Sequence, residues 1–324
     1  MERSEIMVNS ASTPTSPRRK RSRLVSALLV GLLVIGFALY SVAAWVGYDT
    51  ATLPRPPYPP LTPAAAYEEV QFAARGQTYR VNAFLQRGAA DAPALINVHG
   101  YRGTRYSEHS LTRAAEMLAM GYTVLTIDLS DNGGSTIDNG RISFGYSERW
   151  DVLGAFDFLL ERGFSAGRIG LVGESMGAAT SLLAAAAEPR IRAVWEDSGY
   201  TSALQVLAEQ SAGAGFPSFI VPGALVIGVL RTGDRLHEAD PLGAAGQLAA
   251  NGTQVQVVHC QEDAVVLPHH GPDLYNGLKS AGVTVDFWSV GCTQHARAFY
   301  FAREEYNQRL DAFFKAALAP ATAS

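Results

Sequence analysis

Arg168-Ile169-Gly170-Leu171-Val172-Gly173-Glu174-Ser175-Met176-Gly177-Ala178-Ala179-Thr180-Ser181-Leu182-Leu183 is the stretch that decides the fold. Its first five residues read as a short buried strand and its last six as the start of a helix. Between them stands Gly173-Glu174-Ser175-Met176-Gly177, a Gly-x-Ser-x-Gly turn of the kind that presents a serine hydroxyl at the tip of a strand-to-helix elbow. Such a turn leaves no room for side chains at its two ends, which accounts for the glycines. The bland reading is a Gly/Ser turn at a helix N-terminus. The strand–turn–helix context and the residues downstream favour the elbow.

A serine hydroxyl is a poor nucleophile until a base takes its proton. The usual base is a histidine oriented by a carboxylate, and with this elbow the chain order is serine, acid, histidine. Downstream, the strand pattern Gln254–Val258 runs into His259-Cys260-Gln261-Glu262-Asp263, and Val283–Val290 runs into Gly291-Cys292-Thr293-Gln294-His295. Asp263 and His295 therefore fall just past C-terminal strand ends, as Ser175 does, at the edge where sites of open α/β sheets gather. Glu262, Asp197 and Asp286 compete for the acid, with Asp197 placed after the preceding strand and Asp286 inside a strand pattern. Among the other histidines, His109 and His237 read as exposed, His259 as a support of the acid loop, and His269-His270 as a helix start. His99 borders the loop after the strand Ala94–Val98. A tetrahedral intermediate needs two donors for its oxyanion. The N–H of Met176 is one candidate, aided by the helix dipole, and the N–H of Tyr101 in His99-Gly100-Tyr101-Arg102-Gly103 is the other.

Strand patterns at 67–72, 78–85, 94–98, 122–127, 168–172, 191–195, 254–258 and 283–288 alternate from the third onward with helical stretches such as 107–120 and 146–162. That alternation predicts a mostly parallel eight-stranded sheet with helices on both faces. No internal repeat, metal-ligand spacing or Gly-rich dinucleotide fingerprint is visible, so no cofactor and no metal is expected.

At this point the chain resembles the α/β-hydrolase family. His99-Gly100-Tyr101, Gly173–Gly177, His259–Asp263 and Gly291–His295 stand in the order of that family's landmarks, over residues 65–318. The likeness is nearest to membrane-anchored bacterial members resembling the serine-aminopeptidase and dienelactone-hydrolase-like groups. It implies a serine hydrolase that acts through Ser175, Asp263 and His295 and cleaves carboxyl esters, the lesser alternatives being amides, as in a peptidase, or thioesters. The alternatives are acyl transfer by the same three residues and a non-catalytic binding module on the same fold. One departure concerns the loop after the fourth strand, where the family reads Asp-x-Arg-x-x-Gly-x-Ser. Here it is Asp128-Leu129-Ser130-Asp131-Asn132-Gly133-Gly134-Ser135, and the missing arginine puts a structural salt bridge in doubt. The family inserts a lid, expected here over about 198–252. Its apolar run Phe216–Leu230 reads as a helix packed on the sheet, a wall of an acyl pocket, or a segment dipping into a bilayer interface. If the strands carrying Asp263 and His295 are neighbours, as in the resembling family, strand spacing of about 4.8 Å permits a Cys260–Cys292 disulfide. The other reading is two buried free thiols.

The 324-residue chain has a net charge of −4, which argues against nucleic acid as a partner and leaves a small acyl substrate as the expected one. Oligomeric state is not legible. Residues 1–23 form a tail with six basic and two acidic side chains, and Leu24–Tyr48 carries no charge. About 25 such residues suffice to cross a bilayer. The basic tail predicts a cytoplasmic N-terminus, a single-pass signal anchor over 24–48 in the cell membrane, and an extracytoplasmic catalytic domain. A signal peptide cleaved near Val42-Ala43-Ala44 is the rival reading, which would give a secreted protein. Pro54, Pro56, Pro57, Pro59, Pro60 and Pro63 make residues 49–64 an extended spacer expected to hold the domain off the bilayer. Residues 319–324 are a short tail.

Overall fold

The computed structural model describes residues 17–54, 61–132 and 135–319. An eight-stranded sheet runs in the order β1-β2-β4-β3-β5-β6-β7-β8. Its strands are β1 (Glu68–Ala73), β2 (Arg80–Gln86), β3 (Ala94–Val98), β4 (Thr123–Ile127), β5 (Ile169–Glu174), β6 (Ala193–Asp197), β7 (Gln254–Cys260) and β8 (Thr284–Val290). Only β2 opposes its neighbours; β3 to β8 are parallel. Strands β3, β4, β5 and β6 are buried at every residue, which is why their sequences are unbroken runs rather than alternations. Helices such as Arg149–Glu161 and Met176–Ala187 pack on one face, and Glu108–Ala119 and Arg303–Ala317 on the other, with one apolar cluster on each side. Between β6 and β7 the lid contributes helices Ala203–Gly213 and Val221–Thr232. The α/β arrangement anticipated from the alternating patterns is the one observed.

The chain divides into two compact units, Met1–Ala43 and Ala44–Ser324. In the first, residues 17–43 are helical, and side chains such as Leu28, Leu33 and Phe37 are exposed. The helix continues to Thr52, and its stretch Leu24–Thr52 is long and apolar enough to cross a membrane.

In the second unit the beginning of the expected spacer is helix, and it is docked. Ala44, Tyr48 and Thr52 are buried, and the Asp49 carboxylate meets Arg141 at 2.6 Å and Arg231 at 2.9 Å. A Cβ at Gly228 of the lid helix would lie 2.9 Å from the Tyr48 ring, so glycine makes room for that ring. Residues 49–52, where the spacer was expected to begin, are the last turn of this helix, because partners remote in sequence hold the helix end. The proline-rich residues 55–60 and the tail residues 320–324 lie outside the described residues.

The missing loop arginine is compensated from elsewhere. Asp128 pairs with Arg105, whose backbone N–H also donates to Asp128 Oδ1 at 2.6 Å, so the salt bridge survives with a partner from the loop after β3.

Candidate active site

Ser175 sits between β5 and the helix Met176–Ala187 at φ +54° and ψ −123°. A non-glycine residue holds this conformation only where its surroundings impose it. The neighbours are tight: a Cβ at Gly173 would meet Gly177 O at 2.4 Å, and one at Gly177 would meet His99 O at 2.4 Å. The Ser175 N–H donates to Asp197 O at 2.8 Å, which ties the elbow to β6. The serine is half-buried, with its hydroxyl at the C-terminal edge of the sheet.

The loops after β7 and β8 bring two more side chains to it. His295 Nε2 is 2.7 Å from Ser175 Oγ, and His295 Nδ1 is 2.7 Å from Asp263 Oδ2. The second contact requires the proton on Nδ1, so Nε2 is left to accept from the serine. Asp263 is buried, and its Oδ1 accepts the N–H groups of Val265 and Val266 at 2.8 and 3.0 Å. Burial pushes its pKa up, but the hydrogen bond and charge of His295 and the N–H donor from Val265 outweigh it, and the net shift is down. A carboxylate so held stays ionised at neutral pH. His259 sits against the same loop, with Nε2 donating to Val266 O at 3.0 Å, the supporting place expected of it.

It is Asp263 that takes His295 Nδ1; Asp286 accepts the N–H of Phe287 on its own strand at 2.9 Å, and Asp197 is occupied by the Ser198 and Tyr306 hydroxyls. The oxyanion-loop candidates are also adjacent. Met176 opens the elbow helix, and Gly100 is so close to Ser175 that a Cβ there would lie 3.1 Å from the serine Cβ. The Gly100 carbonyl accepts from His99 Nδ1 at 2.8 Å and from the Gly103 N–H at 2.9 Å. The trans peptide then points the Tyr101 N–H the opposite way. Cys260 and Cys292 are joined by a disulfide with Cα atoms 4.9 Å apart, between the strand that carries Asp263 and the one that carries His295.

Sequence reasoning missed one feature of the site. Glu174, the residue before the nucleophile, is buried and paired with Arg113 at 2.9 Å and with His109 at 2.6 Å. His109 was expected to be exposed; instead it is half-buried, with its ring turned toward Glu174 and tilted against Tyr300 at 5.1 Å. The signal was present, since a carboxylate at a buried strand end demands a cationic partner. Burial raises the Glu174 pKa, but His109 and Arg113 reverse this and hold it well below the usual carboxylate range.

Away from the site, Glu209, His269 and His270 bring ligand-type atoms within 4.8 Å of one another. Each imidazole Nε2 takes one oxygen of Glu209, at 3.0 and 2.9 Å, so the group ties lid helix Ala203–Gly213 to helix His270–Ser280. A cleft of about 750 Å³, lined by Arg87, Arg162 and Arg168 among others, lies among segments that lead into the N-terminal ends of β3 and β5, remote from Ser175.

A strand order with β2 alone reversed, a strained serine elbow after β5 and polar loops after β7 and β8 define an α/β-hydrolase fold. Comparison with known proteins agrees. The family model for X-Pro dipeptidyl-peptidase (S15 family) matches residues 83–215. No curated protein matches the sequence significantly. Among solved structures, the Pyrococcus furiosus esterase Pf2001 superposes with a TM-score of 0.67 at 19% identity, covering 83% of this chain and 99% of that one. The Pyrococcus horikoshii acylaminoacyl peptidase gives 0.60 at 17% identity, covering 78% of this chain and 42% of that one. The α/β hydrolase GrgF from Penicillium sp. sh18 gives 0.63 at 15% identity, covering 79% and 100%.

Proposed function

We propose that the protein is a serine hydrolase that cleaves carboxyl esters. The observation that carries this is the unbroken relay from Ser175 Oγ through His295 to the buried Asp263, built on a strained elbow. Ser175 Oγ attacks the acyl carbon while His295 Nε2 takes its proton. The oxyanion is met by the N–H groups of Met176 and Tyr101. Collapse of the tetrahedral intermediate expels the alcohol, which leaves with the proton from His295. Water, deprotonated by the same imidazole, then releases the acid from Ser175. No step needs a metal or cofactor.

Labelling the full chain with a fluorophosphonate probe tests this. Wild type should label and Ser175→Ala should not; an unlabelled wild type with intact fold would defeat the proposal. Amide cleavage is a second reading, favoured by the peptidase family model that covers the elbow and by the acylaminoacyl peptidase likeness. Turnover of acyl esters against aminoacyl amides separates the two, and product analysis with an added alcohol acceptor detects acyl transfer. The helix Leu24–Thr52 supports a single-pass anchor with the domain outside the cytoplasm, and protease added to intact spheroplasts should then digest the domain.

A further inference from the structure

The end of the N-terminal helix and the loop that carries Tyr101 are joined by more than packing. A helix leaves its last four carbonyls without partners inside the helix. Here all of them are satisfied. Asp49 O accepts from Leu53 N–H at 3.1 Å and Thr52 O from Ile142 N–H at 2.8 Å. Thr50 O accepts from Arg102 Nη2 at 2.9 Å, and Ala51 O from the Tyr101 hydroxyl at 2.6 Å. Arg102 Nε reaches one step further, to Leu53 O at 2.9 Å. A guanidinium at the negative end of a helix is also favoured by the helix dipole.

The loop is held from its other side as well. Arg102 has φ +55°, and its N–H donates to Asn132 Oδ1 at 3.2 Å. The Tyr101 ring stacks on Phe144 at 5.4 Å, and Tyr200 ties the Phe144 carbonyl at 2.8 Å. The helix end is in turn fixed by Asp49 between Arg141 and Arg231. Residues 49–53 are thus one jaw of a clamp on Tyr101 and Arg102.

We propose that the docked helix end, Asp49–Leu53, positions the oxyanion loop, with the Tyr101 hydroxyl and the Arg102 guanidinium as positioning groups that act through the Tyr101 N–H. This rests on the hydrolase reading above. The segment that leads out of the apolar helix is then a working part of the active site and not a passive tether. Cleavage near Ala44 would leave this jaw in place, whereas loss of residues up to Leu53 would remove it.

An oxyanion contact is made in the transition state and not in the ground state. Its misplacement therefore lowers kcat and leaves KM alone. In the full chain, Tyr101→Phe keeps the backbone N–H and deletes the tie to Ala51, and Arg102→Ala deletes the ties to Thr50 and Leu53. Each should lower kcat on a p-nitrophenyl ester about ten-fold with KM within about two-fold. Asp49→Asn, farther from the serine, should lower it about three-fold. All rates are taken per active site titrated with fluorophosphonate, so a misfolded fraction does not count. A merely structural role would reduce the titratable sites and leave kcat per site unchanged. If Tyr101→Phe and Arg102→Ala both keep kcat per site within about two-fold of wild type, the positioning role is overturned. If Ser175→Ala retains full activity, the hydrolase reading itself fails, and the two failures are distinct.

Discussion

Reduction of the Cys260–Cys292 bridge should weaken the fold by an amount that its loop length fixes. The two cysteines are 32 residues apart and lie at the ends of β7 and β8. In the chain-entropy account a loop of about 32 residues removes about 12.4 cal/mol/K from the unfolded chain, or about 3.7 kcal/mol at 25 °C. For a domain of this size about 1 kcal/mol corresponds to about 2–4 °C in Tm. Reduced protein should therefore melt about 7–15 °C below oxidised protein. The effect on the site should be smaller, since backbone bonds also join the two strand ends: Gln261 N–H donates to Val290 O at 2.9 Å and Glu262 N–H to Cys292 O at 3.1 Å. Those bonds keep the loops of Asp263 and His295 in register at low temperature. The assay is thermal unfolding with and without reductant, with thiols counted on denatured protein. Two free thiols before reduction would refute the bridge. A Tm that moves by less than about 2 °C on reduction would refute the entropic argument.

Two further outcomes follow from buried charge. Arg113→Met strands the Glu174 carboxylate beside the nucleophile with only His109 as partner, and should cost about 3 kcal/mol in urea unfolding; a loss below about 1 kcal/mol would contradict the pairing. Burial, reinforced by the neighbouring Asp197 charge, pushes Glu196 up to about 8, so the folded protein binds a proton there that the unfolded chain releases near pH 4.5. Wild-type stability should therefore fall through this group as pH rises from about 4.5 to about 8, and Glu196→Gln should gain on wild type over that window; a difference in Tm that does not change with pH would refute it.

Much of the fold was legible because its central strands are buried on both faces. The four central strands, β3 to β6, are buried at every residue and read as continuous runs rather than alternations, and the loops beyond β3, β5, β7 and β8 carry the Gly, Ser, Asp and His landmarks. The elbow was legible because two glycines and a serine at fixed spacing have few other uses between a strand and a helix. Features that depend on partners far apart in sequence were not legible. Arg105 replaces the expected arginine near Ser130 from a loop that precedes it in the chain by some 25 residues, and the Asp128 pair re-forms in space. The docking of residues 44–53 was hidden for the same reason. The proline-rich run begins at Pro54, and pattern alone cannot tell a helix end that is clamped from one that frays into a spacer.

The acid assignment can be tested at the level of a single proton. The Val265 and Val266 N–H groups both point at Asp263 Oδ1, while Oδ2 faces His295 Nδ1. In Asp263→Asn the amide oxygen must take the place between those two donors, because an NH2 there would oppose two N–H groups. The amide NH2 is then turned toward His295 Nδ1, which must accept. That puts the imidazole proton on Nε2, facing Ser175, and removes the base. An equivalent tautomer change in a serine protease costs about 10⁴-fold in kcat, and a similar loss is expected here with Ser175 still in place. Asp197 offers the contrasting control. Its two oxygens accept from Ser198 at 2.9 Å and Tyr306 at 3.0 Å, and Tyr306 in turn accepts from the Trp195 indole at 2.7 Å. Asp197→Asn should disturb that buried stack and lower stability, while kcat per titrated site stays within about ten-fold of wild type. If instead Asp197→Asn abolishes turnover and Asp263→Asn spares it, the relay runs through β6 and the assignment of Asp263 is wrong.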